Sequence, residues 1–141
     1  MSTLRCHRTV EGILTLAAML AFVTAIGCGS SDLAAVRGSV SYRGKPLEHG
    51  RVGFHPEEGR PAFGDIGRDG TFTLTTLSPN DGASIGNHRV TIHSDRPADP
   101  DDAFSDRISL IPTRYQKAET SDLTAEVKAR GTNTFHFELT D

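Results

Sequence analysis

From Val36 onward the sequence predicts an all-β domain, a seven-stranded antiparallel β-sandwich. Three observations predict it. Apolar residues recur at every second position, the period of a strand with one buried face. Turn residues punctuate these runs every 8–15 residues or so, the spacing of sandwich strands. No helical pattern of useful length follows Cys28.

The elements follow in order. Val36, Gly38, Val40 and Tyr42 alternate with Arg37, Ser39, Ser41 and Arg43, and Gly44-Lys45-Pro46 marks a turn. Val52, Phe54 and Pro56 alternate with Gly53 and His55 in a second strand, and 56–61 reads as a Pro-rich loop. A short strand around Phe63 to Ile66 leads into Gly67-Arg68-Asp69-Gly70, a strong hairpin signal because Asp-Gly supports positive φ. Phe72, Leu74 and Thr76 then share one face of a strand that ends before the turn at 78–82. Arg89 to Ser94 is a strand with Val90 and Ile92 inward. Leu123, Ala125 and Val127, then Phe135, Phe137 and Leu139, mark the last two strands. The predicted core is Val40, Val52, Phe54, Ile66, Phe72, Leu74, Val90, Ile92, Val127, Phe135 and Phe137, with Leu110, Ile111 and Tyr115 packing back onto it.

Two segments depart from this rhythm. Asp95 to Asp106 holds Pro97, Pro100, five aspartates and little that is apolar, so it reads as an exposed loop. At the other end of the chain, Arg5 and Arg8 precede the 14-residue apolar run Ile13–Ile26, the charged and hydrophobic parts of a secretory signal. A membrane-spanning helix takes about 20 residues, so cleavage rather than a permanent span is expected.

Ala25-Ile26-Gly27-Cys28 resembles a lipobox, in which cleavage precedes a diacylated cysteine. The expected organisation is a lipoprotein signal peptide over 1–27, a flexible tether over 28–35 and the sandwich over 36–141, with Cys28 as the lipid attachment site. Acyl chains contribute about 0.8 kcal/mol per buried CH₂, so two or three hold a small domain at a bilayer. By the lipoprotein sorting pattern, Gly29 rather than Asp after the cysteine points to the outer membrane, facing the periplasm.

Loss of Arg5, Arg8 and Glu11 with the signal takes the net charge from −3 to −4. Such a surface has no electrostatic reason to bind nucleic acid or anionic lipid, which leaves the acyl chains to hold the protein at a membrane. Cys28 is the sole cysteine after position 27, so the domain has no internal disulfide framework.

The same residues carry a family resemblance. Residues 36–47 (Val36 to Leu47), with Gly44-Lys45-Pro46-Leu47, followed by Gly50-Arg51-Val52-Gly53-Phe54, resemble the opening of a transthyretin-like (prealbumin-like) or carboxypeptidase regulatory-like domain. Asp69-Gly70-Thr71-Phe72-Thr73-Leu74 is similar to that family's hairpin, and Gly86 to Ile92 to a later strand in which His88 replaces the usual Tyr. The resemblance covers nearly all of 36–140 and extends to small bacterial lipoproteins. It implies a structural appendage or binding module rather than an enzyme. The transthyretin-related hydrolase ends in Tyr-Arg-Gly-Ser, whereas this chain ends Phe137-Glu138-Leu139-Thr140-Asp141.

No catalytic residue and no cofactor is assigned. His49, His55, His88, His93 and His136 lack paired metal-ligand spacing; strand parity turns His55, His93 and His136 outward and His88 inward. Asp95, Asp99, Asp101 and Asp102, with Asp106, are the candidate metal ligands, since calcium favours several oxygens on a loop, but they lack the EF-hand order. Asp69 and Asp81, each before Gly, read as turn residues. The expected function is a membrane-anchored, non-enzymatic envelope lipoprotein whose sandwich acts as a structural or binding accessory module, for another envelope protein or a glycan. A calcium- or carbohydrate-binding module built on the Asp95–Asp106 loop is the first alternative, and an undescribed hydrolase with a pocket around His49 or His88 is the second.

Overall fold

A computed structural model describes residues 32–102 and 104–141. Twelve strands run through the described residues: β1 (Leu33–Ala34), β2 (Val36–Tyr42), β3 (Lys45–Pro46), β4 (Gly50–Pro56), β5 (Ala62–Ile66), β6 (Thr71–Thr73), β7 (Ala83–Ser84), β8 (Gly86–His93), β9 (Asp95–Pro97), β10 (Arg107–Ser109), β11 (Thr124–Val127) and β12 (Asn133–Leu139). Seven of them, β2, β4, β5, β6, β8, β11 and β12, are the strands that the alternation predicts. Together they make the β-sandwich.

One sheet has the order β11-β8-β4-β5, antiparallel throughout. The other is centred on β2, with β12 on one side and both β3 and β6 on the other. The β2–β12 ladder is the exception to the antiparallel pattern: Val36 faces Asn133 and Tyr42 faces Leu139 in parallel register. Two strands from opposite ends of the domain meet here, and a parallel pair needs such a long connection.

Local chemistry explains the turns. Arg43 and Gly44 both adopt positive φ, 52° and 74°, the geometry of the two-residue turn that joins β2 to β3. Asp69 Oδ1 accepts the Thr71 N–H at 3.1 Å and the Thr71 hydroxyl at 2.8 Å in the turn between β5 and β6. It is not the hairpin that Asp69-Gly70 predicts, because β5 pairs with β4 and β6 with β2 in the facing sheet. Past β6 the chain changes sheets. Leu74 N–H still donates to Val36 O at 3.0 Å, whereas Thr75 exchanges two backbone hydrogen bonds with Phe63 of β5. This corner ties one edge of the sandwich together, and Leu74 is fully buried within it.

The core lies between the sheets. Phe54 of β4 meets Phe72, Phe135 and Phe137 of the facing sheet at ring-centroid distances of 6.3, 5.6 and 6.2 Å. Tilted contacts of this kind add to the roughly 1.5–3 kcal/mol gained by burying such a side chain. All eleven predicted core residues are buried except Phe135, which is half-buried and packs against the rest. Ile111 and Tyr115 are buried as expected, Tyr115 within a short 3₁₀ helix at Thr113–Gln116.

Two boundaries differ from the sequence expectation. Leu33 and Ala34 fall in the expected tether, yet they pair with Ser84 and Ala83 as β1 against β7. The Asp95–Asp106 segment is a loop only in its middle, because its stem is the hairpin of β9 with β10. Both pairings are made to partners distant in sequence, which a local alternation does not disclose.

Candidate functional site

The outward face of the β11-β8-β4-β5 sheet concentrates most of the domain's unusual surface chemistry. Its organising position is Gly53 of β4. A methyl group there would lie 2.8 Å from His55 Nε2, 2.8 Å from Thr91 Oγ1 and 3.1 Å from Phe63 Cε1. Only a residue without Cβ leaves room for these three side chains to close over the strand. The His55 ring consequently lies across the sheet, with Nε2 2.9 Å from Thr91 Oγ1.

Phe63 stands beside it. Across the ladder Phe63 faces Gly53 on one side and Thr75 on the other, so neither cross-strand neighbour is large enough to cover the ring. It meets His55 edge-on, at 5.9 Å and 83°, and keeps 38% of its surface exposed. The Arg51 guanidinium sits 5.9 Å from the Phe63 ring centre and donates from Nε to Asp65 Oδ1 at 3.0 Å. Arg51 and Asp65 are directly opposed in the β4–β5 ladder. This pair is well exposed, and such a pair contributes about 0–1 kcal/mol to stability.

Phe63 and this ion pair form one wall of an open groove of about 590 Å³, completed by Thr73, Thr75 and Asn80. Asn80 is held at φ 62°, with its N–H donating to Thr75 Oγ1 at 3.0 Å. Its loop is fastened by Asp81, whose carboxylate accepts the N–H groups of Thr76, Leu77 and Ser78 at 2.7–2.9 Å. Those bonds, that from Thr76 foremost, lower the Asp81 pKa. A second hollow of about 510 Å³ is lined in part by His55, Asn87, Arg89 and Thr124.

Burial, then the like-signed His93 and His88, lowers the His55 pKa below 6.5, which keeps the ring uncharged at neutral pH. His88 is buried, and its Nε2 lies 2.7 Å from the Ser84 carbonyl. A carbonyl only accepts, so the ring proton is on Nε2; Nδ1 and the neighbouring Ser84 hydroxyl are buried without partners. His49, His93 and His136 are exposed, and His136 Nδ1 meets Ser39 Oγ at 2.7 Å. Parity therefore places the strand histidines as expected.

The candidate metal ligands are not brought together. Asp95 pairs with Arg107 at the foot of the β9–β10 hairpin. Asp99 accepts the Asp101 N–H at 3.0 Å and Asp102 accepts the Phe104 N–H at 2.9 Å, so both side chains close local turns. Among the described residues no three His, Cys, Asp or Glu side chains gather as a metal site. His49 lines one hollow with Tyr42 and Leu110, and His88 another with Asn87. Cys28 lies outside the described residues, as does the signal segment.

The groove residues Arg51, Phe63, Asp65, Thr75 and Asn80 form no site motif, and none is a candidate site residue from the sequence. One signal was available: Phe63 shares its strand parity with Asp65 rather than with Ile66, an aromatic residue on the solvent side. Comparison with protein-family models, with curated proteins and with solved structures finds no match. The function is therefore read from the geometry and the sequence alone.

Proposed function

We propose that this protein is a lipid-anchored module of the bacterial cell envelope that binds a partner and catalyses no reaction. The observation that carries the binding half is Phe63, an aromatic ring left 38% exposed on an otherwise polar sheet face beside the Arg51–Asp65 pair. A strand aromatic that merely served the fold would sit with the core list; this one faces solvent over a glycine. The acid and base candidates are committed elsewhere: Asp69 and Asp81 organise turns, and His55 is held by Thr91.

The anchor half rests on the sequence around Cys28. With a surface of net negative charge, the acyl chains supply the membrane affinity, and the resident membrane is the outer one. Labelling cells with radioactive palmitate tests this directly. The wild-type protein takes up label and fractionates with membranes, while Cys28→Ser does neither. Persistent label on Cys28→Ser would sink the assignment.

A further inference from the structure

We infer that the groove between β5 and the Thr75–Asn80 segment binds a neutral saccharide of β-gluco configuration, with Phe63 as the stacking platform. The inference rests on the binding reading above and names its ligand.

Each wall of the groove matches one part of such a sugar. A pyranose with all its hydroxyls equatorial presents axial C–H groups on its ring faces, and these seat on the negative face of an aromatic ring. Phe63 keeps 38% of its surface exposed because Gly53 and Thr75, opposite it in the ladder, are too small to cover the ring, beside which the Arg51 guanidinium sits 5.9 Å from the ring centre. Equatorial hydroxyls then point outward in the ring plane, each able to donate and accept. Arg51 and Asp65, held side by side at 3.0 Å, are an ordered donor and acceptor for two adjacent hydroxyls.

Thr73, Thr75 and Asn80 extend the polar wall, and the loop bearing Asn80 is prearranged by the three hydrogen bonds to Asp81. Binding to it therefore costs little further ordering. Charge selects against other ligands: the one cation and one anion at the groove offset each other, which favours a neutral polyol over an anion or a cation. The volume, about 590 Å³, falls within the roughly 300–1,000 Å³ of small-molecule clefts.

Isothermal titration of the purified full-length mature protein with chitotetraose and with cellotetraose tests the proposal. Saturable heat with at least one of them is expected. Phe63→Ala and Arg51→Ala weaken that binding by about tenfold or more, whereas Phe63→Tyr and Arg89→Ala, the latter in the second hollow, preserve it. Circular dichroism of the exposed-site variants reports an unchanged fold. No heat at millimolar sugar, or heat that survives Phe63→Ala, overturns the saccharide assignment.

A photo-crosslinker placed at position 63 in intact cells separates the two levels. Crosslinks to a protein, without sugar binding, overturn the saccharide while leaving the binding face standing. Neither crosslinks nor sugar binding would remove both.

Discussion

His55 and Thr91 meet over Gly53, with the imidazole Nε2 2.9 Å from the threonine Oγ1, and this bridge roofs a strand that has no side chain of its own at that point. The close contacts above Gly53 are with side chains rather than backbone, and the His55 ring can swing aside. Gly53→Ala therefore costs only about 1 kcal/mol, near the low end for overpacking. It also frees His55 into solvent. Because burial is the main cause of the lowered His55 pKa, NMR titration of the variant shows that pKa rising toward 6.5. An unmoved His55 titration would refute this account of the face.

Gly38 gives the contrasting case. A methyl group there would fall 2.2 Å from the backbone oxygen of Phe135, in the parallel ladder between β2 and β12. A backbone atom cannot step aside without breaking the ladder. Gly38→Ala is expected to cost about 3 kcal/mol or more. Urea unfolding of both glycine variants checks the order, and equal losses would mean that the ladder is softer than its register implies.

Asn133 staples the entry to β12. Its Oδ1 accepts the Lys128 N–H at 2.8 Å, and its Nδ2 donates to Lys128 O at 3.0 Å. The side chain is only 6% exposed, so Asn133→Ala leaves partners without replacement and is expected to destabilise by about 1–3 kcal/mol. Asn133→Asp keeps the acceptor and loses the donor, and recovers part of that loss. A denaturation midpoint equal to wild type in the alanine variant would dismiss the staple.

Asp81 makes stability depend on pH. Its folded-state pKa lies below 3.8, so the stabilisation is present above that value and fades as pH falls through the folded pKa. Asp81→Asn is therefore less stable than wild type at about pH 7, and the gap narrows toward about pH 3. Asp69, Glu138 and Asp141 are lowered in the same way, but they titrate in both proteins and cancel in the comparison. Thermal melts across this range check it; a gap that stays constant would show that charge plays no part.

Phe104 is 97% exposed at the tip of the β9–β10 hairpin and makes no core contact. Phe104→Ser is expected to change stability by no more than about 0.5 kcal/mol, measured by thermal unfolding. A larger loss would mean that this hairpin packs on the sandwich.

The amino-acid sequence alone determined which residues face inward, where the turns fall and that the domain is a β-sandwich. These are local properties: alternation sets the buried face within one strand, and Asp-Gly sets a turn within four residues, although at Gly44-Lys45-Pro46 the turn falls one residue earlier, at Arg43-Gly44, and Lys45–Pro46 pair as β3. Parity even placed His88 inside and His55 outside. The tertiary structure decided everything that depends on which strands become neighbours. The parallel pairing of β12 with β2, the pairing of β1 with β7 and the change of sheet after Thr73 join residues far apart in the chain. The groove belongs to the same class, because Arg51, Phe63 and Thr75 share a face only through the register of β4 with β5 and the bridge from Phe63 to Thr75. Strand order and register are settled by how the sheets close around one core, and a single strand's alternation carries no record of that choice.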